Sequence, residues 1–140
     1  LELNKEAGID SEVTSEGAVI KLEETLLFKS GKADIQPHGL DLMKRIIETV
    51  SQAPGKIRVE GHTDNEPITH ATEFESNYEL SMVRALNVAT CLAERGGIDF
   101  ERISVTGYGA LCPRFPNDRP DHRAKNRRVE IILEMNGAPL

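Results

Sequence analysis

Two long segments of this chain repeat their apolar residues at helical spacing, and each is followed by a short segment in which they alternate. In the first, Leu40, Met43, Ile47 and Val50 recur along one stripe with Ile46 beside them, while Asp41, Lys44, Arg45 and Glu48 take the other side. Pro37 suits its first turn, and Pro54-Gly55 ends it. The second starts near Ser76 or Asn77, both good N-caps, with Glu79 at capping-box distance from Ser76. Its stripe is Ala85, Val88 and Leu92, joined by Ala89 and Cys91, and Arg95-Gly96-Gly97 closes it. The alternating segments are Lys56 to Gly61, where Ile57 and Val59 change places with Arg58 and Glu60, and Ile103, Val105 and Gly107. A helix between two neighbouring strands forces a crossover, so these strands are expected to be parallel.

Two more strands complete the pattern. Ala18 to Leu22 is rich in β-branched residues, and Leu26-Leu27-Phe28 leads from it into the turn-rich Lys29-Ser30-Gly31-Lys32. Arg128 to Glu134 places Val129, Ile131 and Leu133 on one side. It follows a loop, Tyr108 to Asp121, that carries Pro113, Pro116 and Pro120, so it can return antiparallel. A loop of this length in a compact domain is functional or pinned by contacts. The expected fold is an α/β sandwich of order β-α-β-α-β-β, a mixed four-stranded sheet with two main helices on one face. At 140 residues the chain holds one domain, residues 18–135, with 1–17 as a linker or an N-terminal extension and 136–140 as a tail.

A net charge of -6 and the lack of a long basic run exclude a nucleic-acid footprint and disfavour an anionic membrane surface. Basic residues gather late, at Arg114, Arg119, Arg123, Lys125, Arg127 and Arg128. They can meet carboxylates or phosphates, or only balance the acidic first half. Cys91 and Cys112 have no metal-ligand spacing; Cys91 reads as a small buried hydrophobe, and a disulfide between them needs a geometry that spacing does not supply. The chain shows no apolar stretch long enough to span a bilayer and no signal peptide, and it begins with Leu1, so it reads as part of a longer protein.

The chemistry gathers between Val59 and Arg84. Asp64 stands just past a strand end, Asn77 just ahead of a helix, and Arg84 about two turns inside that helix. Brought together, one carboxylate and one guanidinium suit a zwitterion, ammonium to Asp64 and carboxylate to Arg84. Spacing alone does not bring them together, and a surface salt bridge is the plainer alternative. Asn77 can contact a ligand or cap the helix. His62, Asp64 and His70, even with Glu66 or Glu73, fall short of a defined ligand set, so no metal is expected and His62 reads as a hydrogen-bonded structural histidine. There is no Ser/His/Asp signature, Gly107-Tyr108-Gly109 is a turn rather than a phosphate loop, and no two acids stand out as a glycosidase pair. Binding without catalysis or cofactor is the expectation.

Thr63-Asp64, Asn77-x-x-Leu80-Ser81-x-x-Arg84-Ala85, Gly107-Tyr108-Gly109, Pro113, Asn117 and Asn126-Arg127-Arg128-Val129-Glu130-Ile131 resemble the OmpA C-terminal-like domain, over roughly Val19 to Glu134. Thr63-Asp64-Asn65-x-Pro67-Ile68, Phe74-x-Ser76-Asn77 and Arg123-Ala124-Lys125-Asn126-Arg127-Arg128 are most similar to its MotB branch, the wall-anchoring subunits of flagellar stators. The resemblance implies a non-catalytic periplasmic domain that binds peptidoglycan through the diaminopimelate of the stem peptide. It implies ligand-binding roles for Asp64 and Arg84, with Thr63 and Leu80 shaping the groove, Asn77 near the stem peptide, and Arg128 rather than Arg127 lining the groove. It also implies an inner-membrane helix outside this sequence, a homodimer and a MotA-like channel partner. The alternatives are the wall anchor of an OmpA/Pal-type outer-membrane protein or of a secretion system and, further off, a cell-wall hydrolase.

Overall fold

The computed structural model describes residues 7–15, 17–68 and 73–134. Its elements are strands β1 (Ile9–Thr14) and β2 (Gly17–Glu23), helices α1 (Glu24–Leu27) and α2 (Pro37–Val50), strand β3 (Ile57–His62), helix α3 (Asn77–Gly96), strand β4 (Ile103–Gly107), helix α4 (Pro120–Asn126) and strand β5 (Arg128–Leu133). A 3-10 turn, Phe100–Arg102, leads into β4.

The sheet has five strands in the order β1-β2-β5-β3-β4. β3 and β4 are parallel, joined through α3 as the crossover argument requires, and every other pairing is antiparallel. The fifth strand, β1, lies inside the stretch expected to be a linker or extension. It is hard to see in the sequence because it is an edge strand: Ile9 reaches the core and Val13 is exposed, so its pattern is mostly polar. The other additions are α1, one turn long, and α4, which begins at the end of the loop expected over Tyr108 to Asp121 and runs on toward the last strand. With Pro120 at its start and under two full turns, α4 has no apolar period to detect.

One core holds the molecule together. Ile20 and Leu22 of β2, Ile57 and Val59 of β3, and Val129, Ile131 and Leu133 of β5 pack with Leu42, Met43, Ile46 and Val50 of α2 and with Ala85, Val88, Ala89 and Leu92 of α3. Burying one such aliphatic side chain stabilises the fold by about 1.5–3 kcal/mol. The two long helices therefore cover one face. On the opposite face Val19 and Ile132 pair across β2 and β5, beside a row of charged residues on β3 and β5.

Two glycines set how closely α3 lies on the sheet. Gly61 and Gly107 are register partners across the parallel pair. A Cβ on Gly61 would collide with the Ser81 carbonyl, and one on Gly107 would lie 2.6 Å from the Met82 backbone nitrogen. The helix backbone thus rests directly on the sheet backbone, and the first turns of α3 come level with the carboxyl end of β3. The helix start is capped as its sequence suggests: Ser76 Oγ accepts from the Glu79 N–H at 3.1 Å, and Glu79 Oε1 accepts from the Glu75 N–H at 3.2 Å. Gly97, at φ 65°, ends it in the left-handed conformation.

Candidate functional site

Four chain segments meet at the end of the sheet where β2 and β3 finish and β5 starts. They enclose a groove of about 430 Å³. Thr63, Asp64, Asn77, Leu80 and Arg84 all line it, together with Glu24, Ser30, Gly31, Glu66, Pro67, Ile68 and Arg127. The strand end and the helix start that carry the Asp64–Arg84 motif do lie together.

They are linked through a residue that sequence reasoning missed. Glu24, the first residue of α1, accepts from Arg84 Nη1 on Oε2 at 2.7 Å and from Arg127 Nε on Oε1 at 3.2 Å. Arg127 Nη1 then donates to Asp64 Oδ2 at 2.7 Å. Arg84, Glu24, Arg127 and Asp64 form a chain of alternating charge with no net charge. The outer backbone bonds fix its ends: Asp64 Oδ1 accepts from the Glu66 N–H at 3.0 Å, and Arg84 donates to the carbonyls of Lys32 at 2.7 Å and Lys29 at 3.2 Å. The Arg84 guanidinium also lies over the Phe28 ring, 4.7 Å from its centroid.

The two arginines differ in what they can do. Arg84 is 3 % exposed, and three of its five N–H groups are committed to these partners. Burial pushes its pKa down from the ordinary value, against the pull of Glu24. The Arg127 side chain is 31 % exposed. Burial lowers its pKa too, but the hydrogen bond to Asp64 and the charges of Glu24 and Asp64 outweigh it, and the net shift is upward. Arg84 is held fixed at the back of the groove, and Arg127 is the more exposed of the two cations.

This corrects the assignment of Arg128. Arg128 does not line the groove. It is buried on the far face of the sheet, where Nε donates to Glu130 Oε2 at 2.6 Å and Nη2 to the Cys112 carbonyl at 2.9 Å. The reason is phase: Val129, Ile131 and Leu133 face the helices, so Arg128, Glu130 and Ile132 face away, and Arg127 falls in step with the helix side. Of the two arginines, it is Arg127 that lines the groove. Asn77 caps nothing, since Ser76 does that; its Nδ2 donates to the Glu66 carbonyl at 2.9 Å and holds the far wall. Thr63 Oγ1 donates to the Asp64 carbonyl at 2.8 Å, and the Thr63 N–H to the Gly109 carbonyl at 2.9 Å, tying the groove to the Gly107-Tyr108-Gly109 turn.

Residues 27–127 match the OmpA family. The chain belongs to the OmpA family. It is 39% identical over 131 residues to Motility protein B of Bacillus subtilis, covering 93% of this chain and 50% of that protein. Among solved structures, the cell wall anchor of the T6SS from Pseudomonas aeruginosa superposes with a TM-score of 0.88 at 31% identity, covering 96% of this chain and 93% of that one. The periplasmic domain of Helicobacter pylori MotB gives 0.83 at 32% identity, covering 93% and 83%. The chain spans about half the length of the curated relatives it matches.

Within this OmpA-family domain the late basic residues are mostly paired off. Arg114 meets Asp10 at 2.7 Å, Arg119 meets Asp121 at 2.8 Å, Arg123 meets Glu66 at 3.5 Å, and Lys125 meets Glu23 at 3.6 Å. The proline-rich loop is pinned by Asn126, which is fully buried. Its Oδ1 accepts from the N–H groups of Arg114 and Phe115 at 2.8 and 3.1 Å, and its Nδ2 donates to the Phe115 carbonyl at 2.9 Å and Asn117 Oδ1 at 2.8 Å. Cys91, in the core of α3, and exposed Cys112 are both free thiols. His62 is buried, but it is not the hydrogen-bonded histidine expected: neither ring nitrogen has a hydrogen-bond partner among the described residues, and Nε2 lies 3.6 Å from Glu60 Oε1. His70 lies outside the described residues. Among the described residues no helix is long and apolar enough to cross a membrane.

Proposed function

We propose that this domain binds diaminopimelate-type peptidoglycan in the Asp64–Arg127 groove and, without catalysis, anchors a membrane protein to the cell wall from the periplasm. The observation that carries the reading is the alternating charge chain at the groove wall. A free amino acid end, ammonium beside carboxylate, is the ligand that such a chain matches. Asp64 takes the ammonium. Arg127 takes the carboxylate in the two-bond mode, with the remaining N–H groups of Arg84 behind it. Thr63, Leu80 and Asn77 shape the walls. The similarity to Motility protein B favours a flagellar stator subunit as the parent protein. In that reading an inner-membrane helix lies outside this chain, the protein acts as a homodimer, and a MotA-like channel subunit is its partner. The likeness to the T6SS wall anchor supports a second reading, the same wall contact serving a secretion machine.

The test is co-sedimentation with insoluble diaminopimelate-type peptidoglycan. The parent chain should pellet, and Asp64→Ala and Arg127→Ala, checked for folding by circular dichroism, should stay in the supernatant. If both variants pellet like the parent, the groove is not the site; if the parent stays soluble, wall binding by this chain is wrong. Release of soluble muropeptides would instead indicate a hydrolase. Loss of swimming, with secretion intact, in a strain lacking the parent gene selects the stator over the secretion reading.

A further inference from the structure

The face of the sheet turned away from the helices holds a second polar cluster. Glu60 of β3 stands directly opposite Glu130 of β5 in the antiparallel register. Like charges in that position repel across the ladder. Both side chains are largely covered, at 14% and 12% exposure. His62 follows Glu60 on the same face of β3 and is 3 % exposed, with both ring nitrogens unsatisfied among the described residues. Arg58 and Arg128 each neutralise one of the two carboxylates, but the buried imidazole beside them is left without a hydrogen-bond partner among the described residues, which is costly unless something else engages it.

We propose that Glu60, His62 and Glu130 form a binding site for a first-row divalent cation, best fitted by Zn²⁺. One ligand atom from each residue lies within 4.8 Å of the others. Ligands around tetrahedral zinc stand about 3.3 Å apart. His62 Nε2 and Glu60 Oε1 are already at 3.6 Å, so only small side-chain rotations are needed. The outer contacts are those of a metal site. Arg58 Nε lies 3.5 Å from Glu60 Oε2 and Arg128 Nε 2.6 Å from Glu130 Oε2, so each arginine takes one oxygen and leaves the other. The Tyr108 ring stacks on His62, centroids 5.2 Å apart and planes 9° apart, which fixes the imidazole plane. One imidazole and two carboxylates favour zinc or a neighbouring transition ion over Mg²⁺ or Ca²⁺, which prefer oxygen alone. Three protein ligands leave a fourth position for water. Because Arg58 and Arg128 offset the two glutamates, affinity should be micromolar rather than tighter. The rival reading is a metal-free cluster held together by Arg58 and Arg128 alone.

Calorimetric titration of the EDTA-stripped chain with ZnCl2, with MgCl2 as control, separates the two. One zinc should bind per chain, Mg²⁺ should give no saturating heat, and saturating Zn²⁺ should raise Tm by roughly 5–10 °C. His62→Gln and Glu130→Gln should each weaken binding about 10–100-fold. Glu130→Gln keeps the test open if His62→Gln fails to fold. Cys112→Ser, which removes an exposed thiol, should bind like the parent, and bound Co²⁺ should show no thiolate charge-transfer band. Absence of zinc binding, or binding unchanged in both ligand variants, overturns the proposal.

Discussion

Replacing Glu24 with Gln tests the charge chain that builds the groove. The substitution keeps the shape and removes one charge. In the parent both carboxylate oxygens accept from arginines, Arg84 at 2.7 Å and Arg127 at 3.2 Å. A glutamine can accept on one side only and turns a donor toward the other guanidinium. The Arg84 and Glu24 side chains are 4% and 10% exposed, so solvent cannot repair the loss. Removing one partner of a buried ion pair costs about 3–5 kcal/mol. Arg84 keeps two backbone acceptors, which argues for the lower end, about 3 kcal/mol. Urea unfolding followed by circular dichroism should show that loss at unchanged slope. Glu24→Leu combined with Arg84→Met should be more stable than Glu24→Leu alone, because no guanidinium is left stranded. If Glu24→Gln lies within about 0.5 kcal/mol of the parent, the argument is refuted.

Three further outcomes follow from the same geometry. Ser76→Ala removes the α3 cap and should lower unfolding free energy by about 1 kcal/mol, read from the urea midpoint; no change would mean the cap is redundant. Asn126→Ala strips four hydrogen bonds from the proline-rich loop. It should cost about 2–3 kcal/mol, since the loop partners are half-buried and water repairs part of the loss, and hydrogen exchange at Arg114 and Phe115 should rise sharply. Gly61→Ala drives a methyl into the Ser81 carbonyl, so it should either fail to fold or shift α3 enough to lose wall co-sedimentation; a stable, binding-competent Gly61→Ala would contradict the close approach.

Much of the fold was written in two periods. The stripe of α2 and the alternation of β3 follow from residues that face the same core, so local pattern and tertiary role agree. The same holds for the crossover between β3 and β4. β1 stayed undecided between a linker and an added strand because an edge strand needs few apolar residues, and α4 escaped because a helix of seven residues has no second turn to repeat in. At the site, Asp64 and Arg84 were legible through motif and placement. Glu24 was not, because its role exists only after β2, α3 and the start of β5 converge, and no local pattern encodes a meeting of three distant segments. The exchange of Arg127 for Arg128 has a different cause. The phase of Val129, Ile131 and Leu133 already assigned the two arginines to opposite faces, and the groove lies on the helix side. His62 shows a third kind of limit: its burial could be expected at a strand end, but not its missing partners.

The last strand in sequence is central in the sheet. β5 sits between β2 and β3, pairing with each along its whole length. Until residues 128–133 arrive, β2 and β3 each present an open ladder edge, and one insertion closes both. The sheet can therefore close only once residues 128–133 join it, a slow closure of contacts far apart in sequence. A copy cut before Arg128 would carry two unzipped edges into the crowd of its neighbours, and so would be less a weakened domain than a seed for strand exchange between chains.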